Sequence, residues 1–233
     1  MDTSKTLAHL ETIIVNATAA RAELLAADPP PPSFVPPVAP GASGPVAAAT
    51  ILLPMDNSAA MTKFYGAPSA SPAYLGYFSF PHPSTRLYSR TGSLLKDYQG
   101  DSRLDHRTHK LLARRLTNAL AEIYTTLGRE QFEKEGWQVY GGSHNYRPTT
   151  SGGRLSTHSW AAAIDMNPNE NTFNQTTTTF SDRAIDIMEA WGFLSGGRAW
   201  GKDWMHFQAS IPSISSGSYY ARNGLPKNIV AAA

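Results

Sequence analysis

The sequence predicts an α+β fold, a small antiparallel sheet flanked by helices, preceded by an N-terminal helix and a proline-rich linker. Three observations lead there. Apolar residues recur at three and four from Leu111 to Leu127 and again from Ala184 to Trp191, the period of helices with one buried face. The candidate strands, such as Trp137-Gln138-Val139-Tyr140, are short and are broken by Gly, Pro or Asn. Prolines crowd the stretch before residue 50, with Pro29-Pro30-Pro31-Pro32, Pro36-Pro37, Pro40 and Pro45 among Ala and Gly. They remove backbone donors and favour extended polyproline geometry, so 28–50 reads as a semi-rigid spacer.

A chain of 233 residues with 41% hydrophobic and 16% charged residues has the composition of a globular protein and can bury a core. Its formal net charge of +2 is too mild to imply a nucleic-acid partner. There is no cysteine, so any metal must be held by histidine and carboxylate. Residues 1–27 carry Asp2, Glu11 and Glu23 among the apolar positions and lack the layout of a secretory signal. The expectation is synthesis in the cytoplasm, and no apolar run is long enough to span a membrane.

In chain order, 1–27 reads as an amphipathic helix through Leu7, Leu10, Ile14, Ala17 and Leu24, serving either as an arm for self-association or tethering or as a helix packed on its own domain. A catalytic or binding domain is predicted over 51–212. Its first part, 51–100, reads as loops and brief strands around Ile51-Leu52-Leu53, Tyr74 to Phe78 and Leu87-Tyr88. A buried helix runs from His106 to Leu127 with Gly128 as its stop. His106 and His109 lie one turn apart at its start, where Asp101 and Asp105 also suit a helix N-terminus. Ser181 caps a second helix with Ala184, Ile187, Met188 and Trp191 inward and Gly192 closing it. The tail, 213–233, reads as irregular.

The chemistry concentrates in Ser156-Thr157-His158-Ser159-Trp160-Ala161-Ala162-Ala163-Ile164-Asp165 and, about forty residues on, Asp203-Trp204-Met205-His206. Two imidazoles and two carboxylates suffice for a metal with three protein ligands, one open position and a base beside it. Alternation predicts Ser156 and His158 on one side of an extended segment, and Asp203 just before the pairing of a last strand in which His206 and Gln208 share a face. Trp160, Trp200 and Trp204 suit a substrate groove or core packing equally, and His144 reads as a rim residue.

Ser156, His158, Ala163 and Asp165 fit a Ser-x-His-x-x-Gly-x-Ala-x-Asp motif, and Asp203 with His206 fits an acid-x-x-His motif. The Tyr146-Arg147-Pro148 turn and Ala190-Trp191-Gly192-Phe193 accompany them. In these features the chain resembles the zinc D,D-peptidase superfamily, the D-Ala-D-Ala carboxypeptidases and bacteriophage L-Ala-D-Glu endopeptidases, over roughly 61–210. Ala161 departs from the pattern, standing where the family has glycine.

The resemblance implies a hedgehog/D,D-peptidase-like zinc fold in which His158, Asp165 and His206 bind Zn²⁺ and leave a fourth position to water. It implies Asp203 as general base, Arg147 as the group that stabilises charge on the substrate, and Ser156 as a residue that orients a ligand or the substrate. The expected activity is hydrolysis of a peptide bond in the peptidoglycan stem, endolysin-like or remodelling, on the bacterial wall after release or export by another route. The alternative is a wall-binding protein that keeps the metal fold without turnover.

Overall fold

The computed structural model describes residues 50–78, 88–89 and 107–232, all within the second of the two units into which the chain divides, 47–233. The expected N-terminal helix, nearly all of the linker, and Asp101, Asp105 and His106 lie outside the described residues.

The elements in order are β1 (Ile51–Leu53), α1 (Ser58–Tyr65), β2 (Leu75–Tyr77), β3 (Tyr88–Ser89), β4 (Arg107–His109), α2 (Lys110–Glu135), β5 (Val139–Gly142), a 3₁₀ turn (Thr157–Trp160), β6 (Ala163–Met166), α3 (Asp182–Ala190), β7 (Leu194–Ser195), α4 (Gly196–Trp200), β8 (His206–Gln208), α5 (Tyr219–Asn223) and β9 (Ile229–Ala231). Five strands form one sheet in the order β3-β5-β6-β8-β7, antiparallel except for the β3–β5 pair. Two-stranded sheets β1–β9, parallel, and β2–β4, antiparallel, complete the mixed α and β architecture.

The helix α2 buries Leu112, Leu116, Ala119, Leu120 and Ile123, a three-and-four spacing that turns one stripe to the core. Full burial of a large aliphatic side chain contributes about 1.5–3 kcal/mol, so this stripe is a main source of stability. The structure moves the predicted start of this helix. Residues 107–109 are strand, His109 is the N-cap, and Leu111 is 57% exposed rather than part of the buried stripe. Gly128 interrupts the helix as expected, with φ 75°, but helical turns resume beyond it to Glu135.

Sequence reasoning missed α1. Asn57 accepts a hydrogen bond from the Ala60 amide and so caps it, and Met61 and Tyr65 are its buried face. At eight residues it is too short to show a period.

The expectation of an irregular tail is corrected. Ile229, Val230 and Ala231 pair with Ile51, Leu52 and Leu53, and α5 is tied to the core through Arg198. The Arg198 guanidinium is buried, 2.6 Å from Asp186, 2.7 Å from Glu189 and 3.0 Å from Asp182 of α3. Tyr219 of α5 lies over it at 4.4 Å, and the Tyr220 hydroxyl donates to Glu189. A buried charge needs several partners, and this one recruits three acids and the C-terminal helix.

Candidate metal centre

The antiparallel register of β6 and β8 places Asp165 directly opposite His206. Two residues in cross-strand register have adjacent side chains when they share a face, which brings a carboxylate and an imidazole together from segments about forty residues apart.

His158 reaches them from the 3₁₀ turn. The expected extended path through Ser156 and His158 is corrected: the Ser156 hydroxyl accepts from the His158 amide, 3.4 Å, and Ser156 is the N-cap of the turn. A serine that bonds backbone two residues on favours such a turn over a strand. The turn ends at Ala161, whose φ of 51° is left-handed. That conformation costs a residue with a Cβ roughly 1–2 kcal/mol, which explains a glycine at this position in the motif. Here Ala161 adopts it, its carbonyl held by the Thr108 hydroxyl at 2.8 Å and the His109 amide at 2.9 Å.

His158 Nε2, His206 Nδ1 and Asp165 Oδ1 form a triangle with all three sides 3.2 Å. Tetrahedral ligands at about 2.0–2.1 Å from zinc lie about 3.3 Å apart, so the three donors fit that ion. Each imidazole is oriented through its other nitrogen. His158 Nδ1 is 3.0 Å from the Ser143 carbonyl, which can only accept, so Nδ1 carries the proton and Nε2 presents a lone pair. His206 Nε2 donates to Gln208 Oε1 at 3.0 Å, and the Gln208 amide is fixed by its own donation to the Ser210 hydroxyl and carbonyl. Both histidines are buried, and Asp165 is partly exposed.

The potential at the triangle also suits a cation. Burial raises the Asp165 carboxyl, but the neighbouring imidazoles outweigh it and hold Asp165 well below the usual carboxylate range. Burial likewise disfavours charge on His206, yet the Asp165 hydrogen bond and charge, with the charge of Asp203, raise its affinity for a proton. Negative potential that attracts a proton attracts a metal ion.

Asp203 lies just before β8, with φ 65°, outside regular pairing. Its Oδ1 is buried with no hydrogen-bond partner among the described residues. Burial raises its carboxyl, with Asp165 adding to the rise and His206, His158 and Arg147 opposing it. The Arg147 backbone is laced to the turn, its amide donating to the Ser159 hydroxyl at 3.1 Å and its carbonyl accepting from the Ser156 amide at 3.0 Å.

A cleft of about 260 Å³ opens before these groups, lined by Arg147, Ser156, Phe173, Trp200, Lys202, Asp203, His206 and others. Of the three tryptophans, Trp200 lines it, Trp160 is core with its indole donating to the Gly66 carbonyl, and Trp204 packs against Gly197. His109 has both nitrogens engaged, with the Tyr65 carbonyl and the Leu111 amide, and His144 Nε2 meets the Ser69 carbonyl. Neither joins the triangle.

Sequence reasoning assigned no role to Gln208, although its shared face with His206 was legible, and it missed Ser143, which acts through a backbone carbonyl that no residue type reveals. Gln208→Ala is expected to weaken metal binding by about 10–100-fold, measured by competition with a chelator. Gly197 allows the loop before β8 to close, since a Cβ there would lie 2.1 Å from the Trp204 ring, next to Asp203. Gly197→Ala is expected to cost about 1–3 kcal/mol in thermal unfolding and to reduce turnover as Asp203 shifts with the indole.

Two buried imidazoles and a carboxylate converge on one point where they could hold a metal ion, with a second carboxylate beside them in a cleft. Residues 149–209 match the D-alanyl-D-alanine carboxypeptidase family model, and over this segment the chain is similar to the metallopeptidases of the zinc D,D-peptidase superfamily. The matched segment contains all three triangle residues and Asp203, and it begins two residues after Arg147. Comparison with curated proteins and with solved structures gave no match.

Proposed function

We propose that this chain is a zinc-dependent peptidase that hydrolyses an amide bond in the peptidoglycan stem peptide and acts on the bacterial wall. The observation that carries the proposal is the triangle of His158, Asp165 and His206 next to the buried, unpartnered oxygen of Asp203. When bound there, zinc supplies a Lewis acid that polarises a carbonyl and lowers the pKa of water.

The chain's own groups do the rest. The Asp203 carboxylate takes a proton from the attacking water and returns it to the leaving amine nitrogen, a role suited to a carboxylate whose burial raises its proton affinity. Arg147, whose charge acts on Asp203 from the cleft wall, offers its guanidinium to the oxygen on which negative charge develops. Ser156 positions His158 by capping its turn, and Gln208 fixes the His206 tautomer. Trp200, tilted against His206 at 5.6 Å, shields that side from water.

A wall-binding protein without turnover drew its support from Ala161 in place of glycine. Ala161 takes the left-handed conformation that glycine would take, so it supplies no support for that reading. The test is incubation of the metal-loaded protein with a synthetic stem peptide ending in D-Ala-D-Ala. Released D-Ala means carboxypeptidase action and a new D-Glu amino terminus means endopeptidase action. Binding without either product favours the alternative.

A further inference from the structure

The cleft has a cationic wall of which the proposed chemistry uses only Arg147. Among the described residues, the lysine and arginines lining it are Arg147, Arg154 and Lys202, and Asp203 is the only acid. Arg154 is engaged by Asp56 at 2.9 Å. Lys202 is exposed, and no carboxylate pairs with it among the described residues. Its Nζ lies 5.1 Å from the Phe173 ring centroid and 3.3 Å from Asn174 Oδ1. The turn that carries it is set by left-handed residues on both sides, Gly201 with φ 73° and Asp203 with φ 65°. One turn therefore buries a carboxylate oxygen and sends the adjacent lysine across to the Phe173 loop. An ammonium has three donors; Asn174 takes one and the aromatic face limits where the others aim.

We propose that Lys202, steadied on Phe173, is a specificity-determining residue that binds a substrate carboxylate outside the reacting amide, so that the cleft selects acidic peptides over their amidated counterparts. The proposal rests on the peptidase reading and names the substrate chemistry of the same site. A charge-assisted contact at an exposed wall supports a preference of roughly tenfold.

The experiment compares kcat/KM for two stem peptides that differ only in a free or amidated α-carboxylate on D-Glu, using zinc-loaded wild type, Lys202→Met and Lys202→Arg. The wild type is expected to favour the acid form roughly tenfold, Lys202→Met to bring the ratio close to one, and Lys202→Arg to restore the preference. Equal rates in the wild type overturn the proposal and leave the peptidase reading standing. A Met variant slowed equally on both peptides, its ratio unchanged, shows Lys202 to be a latch for the Phe173 loop and also overturns it. Cleavage of neither peptide by zinc-loaded wild type overturns both.

Discussion

Asp203→Asn is expected to lower kcat by about 10²- to 10⁴-fold with bound metal still stoichiometric. The side chains are nearly isosteric, and Asp203 is outside the triangle of donors, so the substitution removes proton transfer without removing a ligand. Stability is expected to be unchanged or higher. Burial disfavours the charged form of Asp203, and its Oδ1 has no hydrogen bond to lose, so a neutral amide relieves a cost of the folded state. Turnover, metal analysis and thermal denaturation on one preparation separate the outcomes. Loss of metal or of the fold together with activity would make Asp203 a structural residue.

His206→Ala is expected to remove both metal and turnover. It deletes one corner of the triangle and leaves Gln208 without the imidazole it orients, so metal affinity is expected to fall well beyond the about 10–100-fold of an outer partner such as Gln208. Binding to the native state alone stabilises a protein by mass action, so the wild type should melt higher with zinc and the variant should show little response. Metal titration followed by melting temperature checks this. A variant that keeps wild-type affinity would remove His206 from the centre.

Much of the fold was legible because period and punctuation survive in the sequence. The stripe from Leu112 to Ile123 and the Ser181 cap both depend on local residue chemistry. What was not legible depends on distant partners. The tail reads as irregular because β9 finds its order only against β1, and α5 only against the buried Arg198 cluster. The path through Ser156 and His158 was mistaken for strand because alternation was weighed above the serine's reach to the His158 amide. In the site, the resemblance implied His158, Asp165 and His206; the β6–β8 register shows why Asp165 and His206 meet, and the turn capped by Ser156 carries His158 to them. Gln208 and the Ser143 carbonyl, which set the tautomers, required three-dimensional contact.

The most direct measurement is titration of metal-free protein with zinc while stem-peptide hydrolysis and bound metal are followed together. No hydrolysis is expected at the start, then a rise that tracks occupancy of the His158–Asp165–His206 site, and loss again on chelation. Full hydrolysis by a zinc-free preparation would contradict the zinc-dependent reading.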